Sequence, residues 1–114
     1  MKVAVIGSRN LTIANLGDYL PENVTKIISG GARGIDSCAR AYAYDHGIPL
    51  LEFLPDYEKF GRFAPLKRNL DIIGHADYVL AFWDGKSRGT KYVIDICRER
   101  KVPLRIFEKC LDEG

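Results

Sequence analysis

The chain has 114 residues, of which 46% are hydrophobic and 28% are charged, and its formal net charge is +2. This length fits one domain over residues 1–114, and the ordinary hydrophobicity excludes a disordered chain. The small net charge excludes a nucleic-acid binder that relies on a strongly basic surface, but not a local cationic site. No apolar run approaches the roughly 18 residues of a membrane span, and Lys2 leads directly into a strand-like segment. We therefore expect a cytoplasmic protein with no signal peptide and no membrane partner.

The cysteines and histidines argue against disulfide and metal chemistry. Cys38, Cys97 and Cys110 are odd in number, widely spaced and without a CxxC pair, which fits a reducing compartment. Cys38 and Cys97 fall on apolar faces of predicted helices, where small core residues are expected. His46 and His75 lie near the ends of two different helices, with no third ligand in view. The sequence therefore predicts no metal site and no bound cofactor.

Short apolar runs alternate with helical patterns along the chain, which is typical of an α/β domain built on a parallel sheet. Strands are predicted at Lys2–Ile6, Thr25–Ser29, Pro49–Leu54, Asp77–Trp83 and Pro103–Phe107. Five strands with intervening helices predict a doubly wound, Rossmann-like sheet in the order 3-2-1-4-5, and right-handed crossovers fix its hand. The topological switch of such a sheet lies between strands one and four.

Apolar residues at helical spacing predict four helices between the strands. The first covers Leu11–Leu20, the second runs from Ile35 to a cap at Gly47, and the third covers Leu66–His75. The last helix directs inward Tyr92, Val93, Ile96 and Cys97. The segment Pro55–Pro65 carries proline, glycine and aromatic residues, so we expect an irregular loop packed on the domain.

Loops rich in glycine, serine, threonine and arginine follow strands one, two and four. They contain Ser8 and Arg9, then Gly30, Gly31, Arg33 and Gly34, and finally Asp84–Thr90. In a doubly wound sheet, ligands bind beyond the carboxyl ends of the strands at the switch point. Glycine lets backbone N–H groups approach a ligand, a following helix presents its positive N-terminus, and arginine pairs with phosphate oxygens. The three loops together predict a cleft for a phosphate-bearing ligand.

Two common nucleotide motifs are missing from these loops. Strand one is followed by GSRN instead of GxGxxG, and no complete GxxxxGK[ST] motif occurs, because the GKS at residues 85–87 has Leu80 in place of the first glycine. Their absence disfavours ordinary NAD-dependent hydride transfer and P-loop ATP hydrolysis.

Four segments occur in the order of the motifs of the SLOG superfamily: VAVIGSRN, ISGGARGID, GRFAPLKRN and ADYVLAFWDGKSRGT. The chain resembles most closely the YspA/YpsA-like branch, from Lys2 to about Phe107. The resemblance implies a binding or sensing module for a nucleotide or nucleotide-derived ligand, in a domain that can self-associate as a homo-oligomer. The ligand-facing residues that it implies are Gly7, Ser8, Arg9, Gly30, Gly31, Arg33, Gly34, Arg68, Asn69, Ser87, Gly89 and Thr90.

One related branch suggests N-glycosidic hydrolysis as an alternative. The LOG phosphoribohydrolases carry a PGGxGTxxE segment, and the position of their glutamate, three residues past Thr90, holds Val93 here. Asp95 lies about 200° further round the helix, at about 100° per residue. Such hydrolysis needs a carboxylate, and Asp36 and Asp84 are the remaining candidates. Asp36 also suits the first turn of a helix and Asp84 an Asp-Gly turn, so we expect binding without turnover.

A second related branch suggests single-stranded DNA binding. Ser29–Asp36 reads SGGARGID, very similar to a segment of the Rossmann domain of the DNA-processing protein DprA, which binds single strands along a basic groove. The cations available for a groove or a single pocket are Arg9, Arg33, Arg62, Lys67, Arg68, Lys86, Arg88 and Lys91. The aromatic residues available for base stacking are Tyr57, Phe60, Phe63 and Trp83. We expect most of these rings to serve in core and loop packing instead.

Overall fold

A computed structural model describes residues 1–108, and Cys110 lies outside the described residues. One parallel sheet of five strands has the order 3-2-1-4-5 that the sequence predicts. Its strands are β1 (Lys2–Gly7), β2 (Lys26–Ser29), β3 (Leu50–Glu52), β4 (Tyr78–Trp83) and β5 (Leu104–Glu108). The predicted α/β class and doubly wound sheet are therefore confirmed.

Helices cover both faces of this sheet. They are α1 (Ile35–Asp45), the single turn α2 (Tyr57–Phe60), α3 (Ala64–His75) and α4 (Arg88–Arg100). On one face, Ile35 and Ala39 of α1 pack with Val3 and Val5 of β1. On the other face, apolar residues of α3 and α4 pack with Ala4 and its neighbours in the sheet. The central strands are buried on both sides, which is why their sequences are continuous apolar runs.

The predicted helix over Leu11–Leu20 is wrong. This segment is an irregular connection with one 3-10 turn, Leu16–Asp18. Leu11 and Leu16 are buried in the core, so their spacing reflects packing of a loop and not the face of a helix. The Asn15 side chain accepts a hydrogen bond from the Gly17 N–H at 3.2 Å, a local bond that competes with helix formation. As a consequence, no helix N-terminus follows β1 at the switch point.

The segment Pro55–Pro65 is more regular than predicted. It contains α2, a 3-10 turn at Gly61–Phe63 and the start of α3, two residues before the predicted start. Pro65 lies in the first turn of α3, where the missing N–H of proline would have no partner in the helix. The loop prediction failed because this proline begins a helix instead of preventing one.

The interior of α4 also differs in detail from the prediction. Val93 and Cys97 are buried as expected, but Ile94 is the third apolar residue buried there, while Tyr92 and Ile96 are half-buried. Burial raises the pKa of the Cys97 thiol to about 11, so this thiol remains protonated at neutral pH. Cys38 is half-buried, and its Sγ accepts a hydrogen bond from the N–H of Ile13 at 3.5 Å.

The predicted cap of α1 is present, since Gly47 follows the helix with a φ of +64°. Across residues 1–108, none of the helices combines the length and the apolar character needed to cross a membrane.

Candidate functional site

A cleft of about 620 Å³ opens at the carboxyl ends of β1, β2 and β4, which is the switch point of the sheet. Its walls come from the loops that follow these strands and from α3 and α4. Of the residues predicted to face a ligand, those that line it are Gly7, Ser8, Arg9, Gly30, Arg68, Asn69, Ser87, Gly89 and Thr90. The four sequence motifs therefore converge on one cavity.

A second cavity of about 480 Å³ adjoins the first. Residues that line both cavities are Arg9, Gly30, Ala32 and Arg68. The second cavity also contains Gly31 and Arg33, two of the predicted residues, together with Arg40. Gly34 lines neither cavity. A Cβ at Gly34 would lie 2.4 Å from the carbonyl oxygen of Arg9, so glycine is needed there for the approach of two backbone segments.

Ser8 joins the loops that follow β1 and β4. Its side chain is buried, its N–H donates to the carbonyl oxygen of Phe82 at 3.0 Å, and its Oγ accepts from the N–H of Asp84 at 3.2 Å. The neighbouring Arg9 is exposed, and none of the ion pairs within residues 1–108 includes it. The Arg9 guanidinium is therefore a cation at the mouth of both cavities without a carboxylate partner.

Arg68 and Asp36 place opposite charges beside Gly30 in the wall of the cleft. Nη1 of Arg68 donates to the carbonyl oxygen of Gly30 at 2.7 Å, and its Nε donates to Oδ1 of Asn69 at 2.9 Å. Oδ2 of Asp36 accepts from the N–H of Ala32 at 3.1 Å. A Cβ at Gly30 would lie 2.5 Å from Nη1 of Arg68 and 3.1 Å from Oδ2 of Asp36. Any larger residue at position 30 would displace the Arg68 guanidinium from its present place.

Burial dominates the titration of this charged pair. It raises the pKa of Asp36, although the hydrogen bond from Ala32 and the charge of Arg68 act in the opposite direction. It also lowers the pKa of Arg68, against the attraction of Asp36 and together with the repulsion of Arg9. The wall of the cleft therefore contains a carboxyl that is protonated more readily than an ordinary aspartate.

The loop after β4 ends at the N-terminus of α4. Oδ1 of Asp84 accepts from the N–H groups of Lys86 and Ser87 at 2.8 Å and 2.7 Å, and the Ser87 bond followed by the Lys86 bond lowers the pKa of Asp84. Ser87 caps α4, since its Oγ accepts from the N–H of Thr90 at 3.4 Å. Nε1 of Trp83 donates to the carbonyl oxygen of Ser87 at 3.0 Å. Trp83 thus supports this loop and is only half-exposed for stacking.

Both candidate catalytic carboxylates, Asp36 and Asp84, line the first cavity, and both already accept backbone hydrogen bonds. Val93 lines the same cavity and is 2% exposed. Asp95 lies on the outer side of α4, where its carboxylate accepts a hydrogen bond from Nζ of Lys91 at 2.9 Å. The position that holds glutamate in the LOG enzymes therefore faces the cleft here, with an apolar side chain.

Several cavity residues were not predicted from the sequence. Asn10 and Pro65 line the first cavity, and Ser37, Arg40 and Pro55 line the second. The helical spacing of Ser37 and Arg40 was a usable signal, since residues three apart share a face of α1. Predicted cations that line neither cavity are Arg62, Lys67, Arg88 and Lys91.

The histidines lie at helix ends, as the sequence suggests. The His46 ring stacks on Tyr42, and Nδ1 of His75 lies 2.8 Å from the carbonyl oxygen of Asp71. In the described part of the chain, no three side chains among histidine, cysteine, aspartate and glutamate are grouped so that they could hold a metal ion.

A known protein family matches part of this sequence. The sequence model of the family described as DNA recombination-mediator protein A matches residues 1–59, just over half of the 114 residues. No curated protein and no solved structure matches significantly. The matched part contains Arg9 and the SGGARGID segment, but not α3 or α4. The match supports a relation to the DprA branch of the SLOG superfamily, whose motifs the sequence resembles. It adds no support for the YspA/YpsA-like branch. By this match, the chain belongs to the DNA recombination-mediator protein A family.

Proposed function

We propose that the first cavity binds a phosphorylated nucleotide or a nucleotide-derived ligand, with its phosphate at the N-terminus of α4. The observation that carries this proposal is Gly89. Glycine inside a helix costs about 0.5–1 kcal/mol relative to alanine. A Cβ at Gly89 would meet no atom within 4 Å, and its φ is not positive, so neither packing nor backbone conformation requires glycine. A ligand that approaches the first turn of α4 would require it.

The charges around the two helix N-termini support this position for the phosphate. The N-terminus of a helix attracts anions through its free N–H groups and its dipole. Asp36 already places a carboxylate in the first turn of α1, whereas the first turn of α4 contains no acidic residue. Lys86 lines the cavity just before α4, and Asp84 is held by its own loop. A phosphate at α4 therefore meets donors and a cation with little competition.

The floor of the cavity suits the nucleoside part of such a ligand. It is lined by the apolar side chains of Ile6, Ile72 and Val93. Ligand pockets typically have volumes of about 300–1,000 Å³ and mostly apolar walls with a few placed polar groups. A cavity of about 620 Å³ accommodates a nucleoside and its phosphate. We infer a cytoplasmic binding or sensing module in which Val93 stands where the LOG enzymes have their glutamate, while Asp36 and Asp84 accept backbone hydrogen bonds.

Single-stranded DNA binding is the second candidate function, and two observations favour it. The matched family is described as a mediator of DNA recombination. The second cavity continues from the first and adds Arg33 to the shared Arg9, whereas the Arg40 guanidinium in the same cavity is paired with Glu52 at 2.9 Å. A single strand presents one phosphate per nucleotide, so its neighbouring phosphates can occupy two connected cationic cavities. A mononucleotide has a phosphate for only one of them.

Calorimetry with AMP and GMP tests the first proposal. We expect Gly89→Leu to abolish measurable binding because its side chain fills the space at the first turn of α4. Gly74→Leu is the matched control, since a Cβ at Gly74 in α3 also meets no atom within 4 Å and Gly74 lines neither cavity. If Gly89→Leu binds as well as the unchanged protein, the phosphate does not lie at α4. If no nucleotide binds the unchanged protein, the proposal of a nucleotide cleft fails as a whole.

A further inference from the structure

Four large apolar side chains between β3 and the first turn of α3 are exposed to solvent. Leu54 is 66% exposed, Tyr57 56%, Phe63 57% and Leu66 37%, and none of them lines either cavity. We name these four side chains the apolar patch. The exposure of Tyr57 and Phe63 contradicts the expectation that these rings serve in packing. Exposed apolar side chains that cluster on a surface mark an interaction site, whereas scattered ones need no explanation.

The segment that carries the apolar patch is folded against α3. Nζ of Lys67, in α3, lies 5.7 Å from the ring centroid of Phe60, in α2. Asp56 caps α2, since its Oδ1 accepts from the N–H of Lys59 at 3.1 Å, and Gly61 ends α2 with a φ of +56°. The backbone of this segment is therefore ordered by its own bonds, while its large apolar side chains remain in solvent.

Unpaired cations lie beside the apolar patch. Cζ of Arg62 lies 5.1 Å from the ring centroid of Phe63, and Nζ of Lys59 lies 5.3 Å from that of Phe60. Both cations are exposed, and none of the ion pairs within residues 1–108 includes either of them. Glu58 is an exposed carboxylate next to Lys59 and opposes their charge. The surface thus combines exposed apolar side chains with two free positive charges.

We propose that the apolar patch docks on the surface of a lipid bilayer that contains anionic lipids. In such a contact, leucine and aromatic side chains enter the boundary between headgroups and acyl chains, and lysine and arginine stay with the lipid phosphates. The charge complementarity between an anionic leaflet and the cations Lys59 and Arg62 favours this partner. The expectation of no membrane partner rests on the lack of a spanning segment, which a peripheral contact does not need.

Two other kinds of partner fit the apolar patch less well. The bases of a single strand stack on ring faces, but Leu54 and Leu66 have no ring, and Arg62 already lies over the ring of Phe63. The centres of protein interfaces are depleted of lysine, whereas Lys59 lies beside this patch. A bilayer accepts both features, because aliphatic side chains enter it as readily as rings do and lysine extends to its headgroups.

Co-sedimentation with lipid vesicles tests the proposal. The protein should bind vesicles of phosphatidylglycerol and phosphatidylcholine in equal parts. It should bind vesicles of phosphatidylcholine alone at least about tenfold more weakly, because each cation near an anionic surface strengthens binding about fivefold. Arg62→Gln should therefore weaken binding to the anionic vesicles about fivefold, and Glu58→Gln should strengthen it. Phe63→Ser should weaken it about tenfold through loss of a large apolar side chain, whereas Phe63→Trp should retain it.

The control variants lie at the opposite edge of the sheet. Tyr44→Ser removes an 88% exposed ring near the C-terminal end of α1, and Lys2→Gln removes an exposed cation at the start of β1. Both should bind the anionic vesicles as the unchanged protein does, and circular dichroism verifies that every variant is folded. A loss in the controls as large as that in Phe63→Ser and Arg62→Gln would show unspecific attraction and overturn the proposal.

The other outcomes decide as clearly. The proposal is overturned if the unchanged protein binds neither kind of vesicle, or binds both equally, or if Phe63→Ser and Arg62→Gln bind normally. If Phe63→Ser loses affinity for an oligothymidylate but not for vesicles, the patch belongs to a nucleic-acid surface and the membrane proposal fails. The varied residues line neither cavity, so calorimetry with AMP tests the proposed function separately.

Discussion

Nη1 of Arg68 donates a hydrogen bond to the carbonyl oxygen of Gly30 at 2.7 Å, and this bond joins α3 to the loop after β2. The two residues are 38 positions apart in the chain and form one wall of the cleft. Because a second nitrogen of Arg68 donates to Asn69, two of its donor groups are already engaged within the protein. The buried arginine therefore shapes the cleft in addition to placing a positive charge in it.

Replacement of Arg68 is expected to destabilise the fold. Arg68→Ala leaves the Gly30 carbonyl oxygen without its partner, and loss of a hydrogen bond from a charged group costs about 1.5–3 kcal/mol. Urea unfolding followed by circular dichroism measures this change in the free energy of unfolding. Arg62→Ala is the control, because Arg62 is exposed and its replacement should change stability by less than about 0.5 kcal/mol. Equal stabilities of the two variants would show that the Arg68–Gly30 bond contributes nothing to the fold.

The raised pKa of Asp36 predicts that the free energy of unfolding falls as the pH rises. Burial raises its folded-state pKa above the ordinary value of 3.8, so the folded protein holds this proton more tightly than the unfolded chain does. The stability that Asp36 contributes is complete below 3.8 and is lost as the pH rises through the folded-state pKa. Asp36→Asn removes this titration while keeping an acceptor for the Ala32 N–H. Relative to that variant, the unchanged protein should lose free energy of unfolding as the pH increases.

Asp84 provides the internal comparison, since its pKa shift has the opposite sign. Hydrogen bonds from Ser87 and Lys86 lower its pKa below 3.8, so its contribution is present above that value and is lost as the pH falls through the folded-state pKa. Relative to Asp84→Asn, the unchanged protein should lose stability on acidification. Slopes of the same sign for the two pairs would contradict one of the two assignments, and urea titrations over a range of pH values supply the measurement.

The order of the strands was predictable because it follows from the alternation of buried apolar runs with helical patterns. The convergence of Ser8, Gly30 and Ser87 on one cavity follows from that order, since parallel strands bring their carboxyl ends to one edge. The segment Leu11–Leu20 was not predictable, because leucines that fill a core beneath a loop can imitate helical spacing. The roles of individual glycines were also hidden. The sequence does not distinguish Gly34 from Gly89. In the structure, Gly34 allows the close approach of the Arg9 backbone, whereas a Cβ at Gly89 would face open space.

Gly89→Ala tests whether the stability of the protein requires glycine at this position. A Cβ at this position meets no atom within 4 Å, so alanine should stabilise α4 by about 0.5–1 kcal/mol through its higher helix propensity. Gly74→Ala in α3 should give a similar gain for the same reason. Thermal unfolding without ligand checks both values. If Gly89→Ala destabilises the protein, the glycine has a structural role, and its use as a sign of a ligand site is unfounded.

Arg9 and Arg33 are expected to affect different ligands. Arg9 lines both cavities, so Arg9→Ala should weaken the binding of AMP and of an oligonucleotide by at least about 1.5 kcal/mol each. Arg33 lines only the second cavity, so Arg33→Ala should weaken oligonucleotide binding and leave AMP binding nearly unchanged. Calorimetry at one fixed salt concentration makes the comparison, because phosphate contacts depend on salt. A larger effect of Arg33 on AMP would place the phosphate in the second cavity.

The protein is expected to bind a nucleotide without hydrolysing it. Release of a base from a nucleoside monophosphate needs a carboxylate near the anomeric carbon, and the position that faces the cleft in α4 holds Val93. Asp36 and Asp84 accept backbone hydrogen bonds that favour their present orientations. We therefore expect no base to be released when the protein is incubated with AMP or GMP and the products are separated by chromatography. Release at ordinary enzymatic rates, about 1 per second or faster, would falsify the binding-module proposal.

Val93→Glu then tests whether the cleft lacks only the carboxylate. Val93 is 2% exposed beside Ile6 and Ile72, so a glutamate there loses solvation and should lower the free energy of unfolding. Val93→Gln matches its size and hydrogen-bonding reach without the charge, so it controls for the change in packing. Slow release of adenine from AMP by the glutamate variant alone, with none by the glutamine variant, would support nucleotide binding with the ribose beside α4. If both variants fold and bind AMP but neither releases base, the ribose of the bound nucleotide lies away from residue 93. The ligand then binds in the opposite orientation to the one proposed.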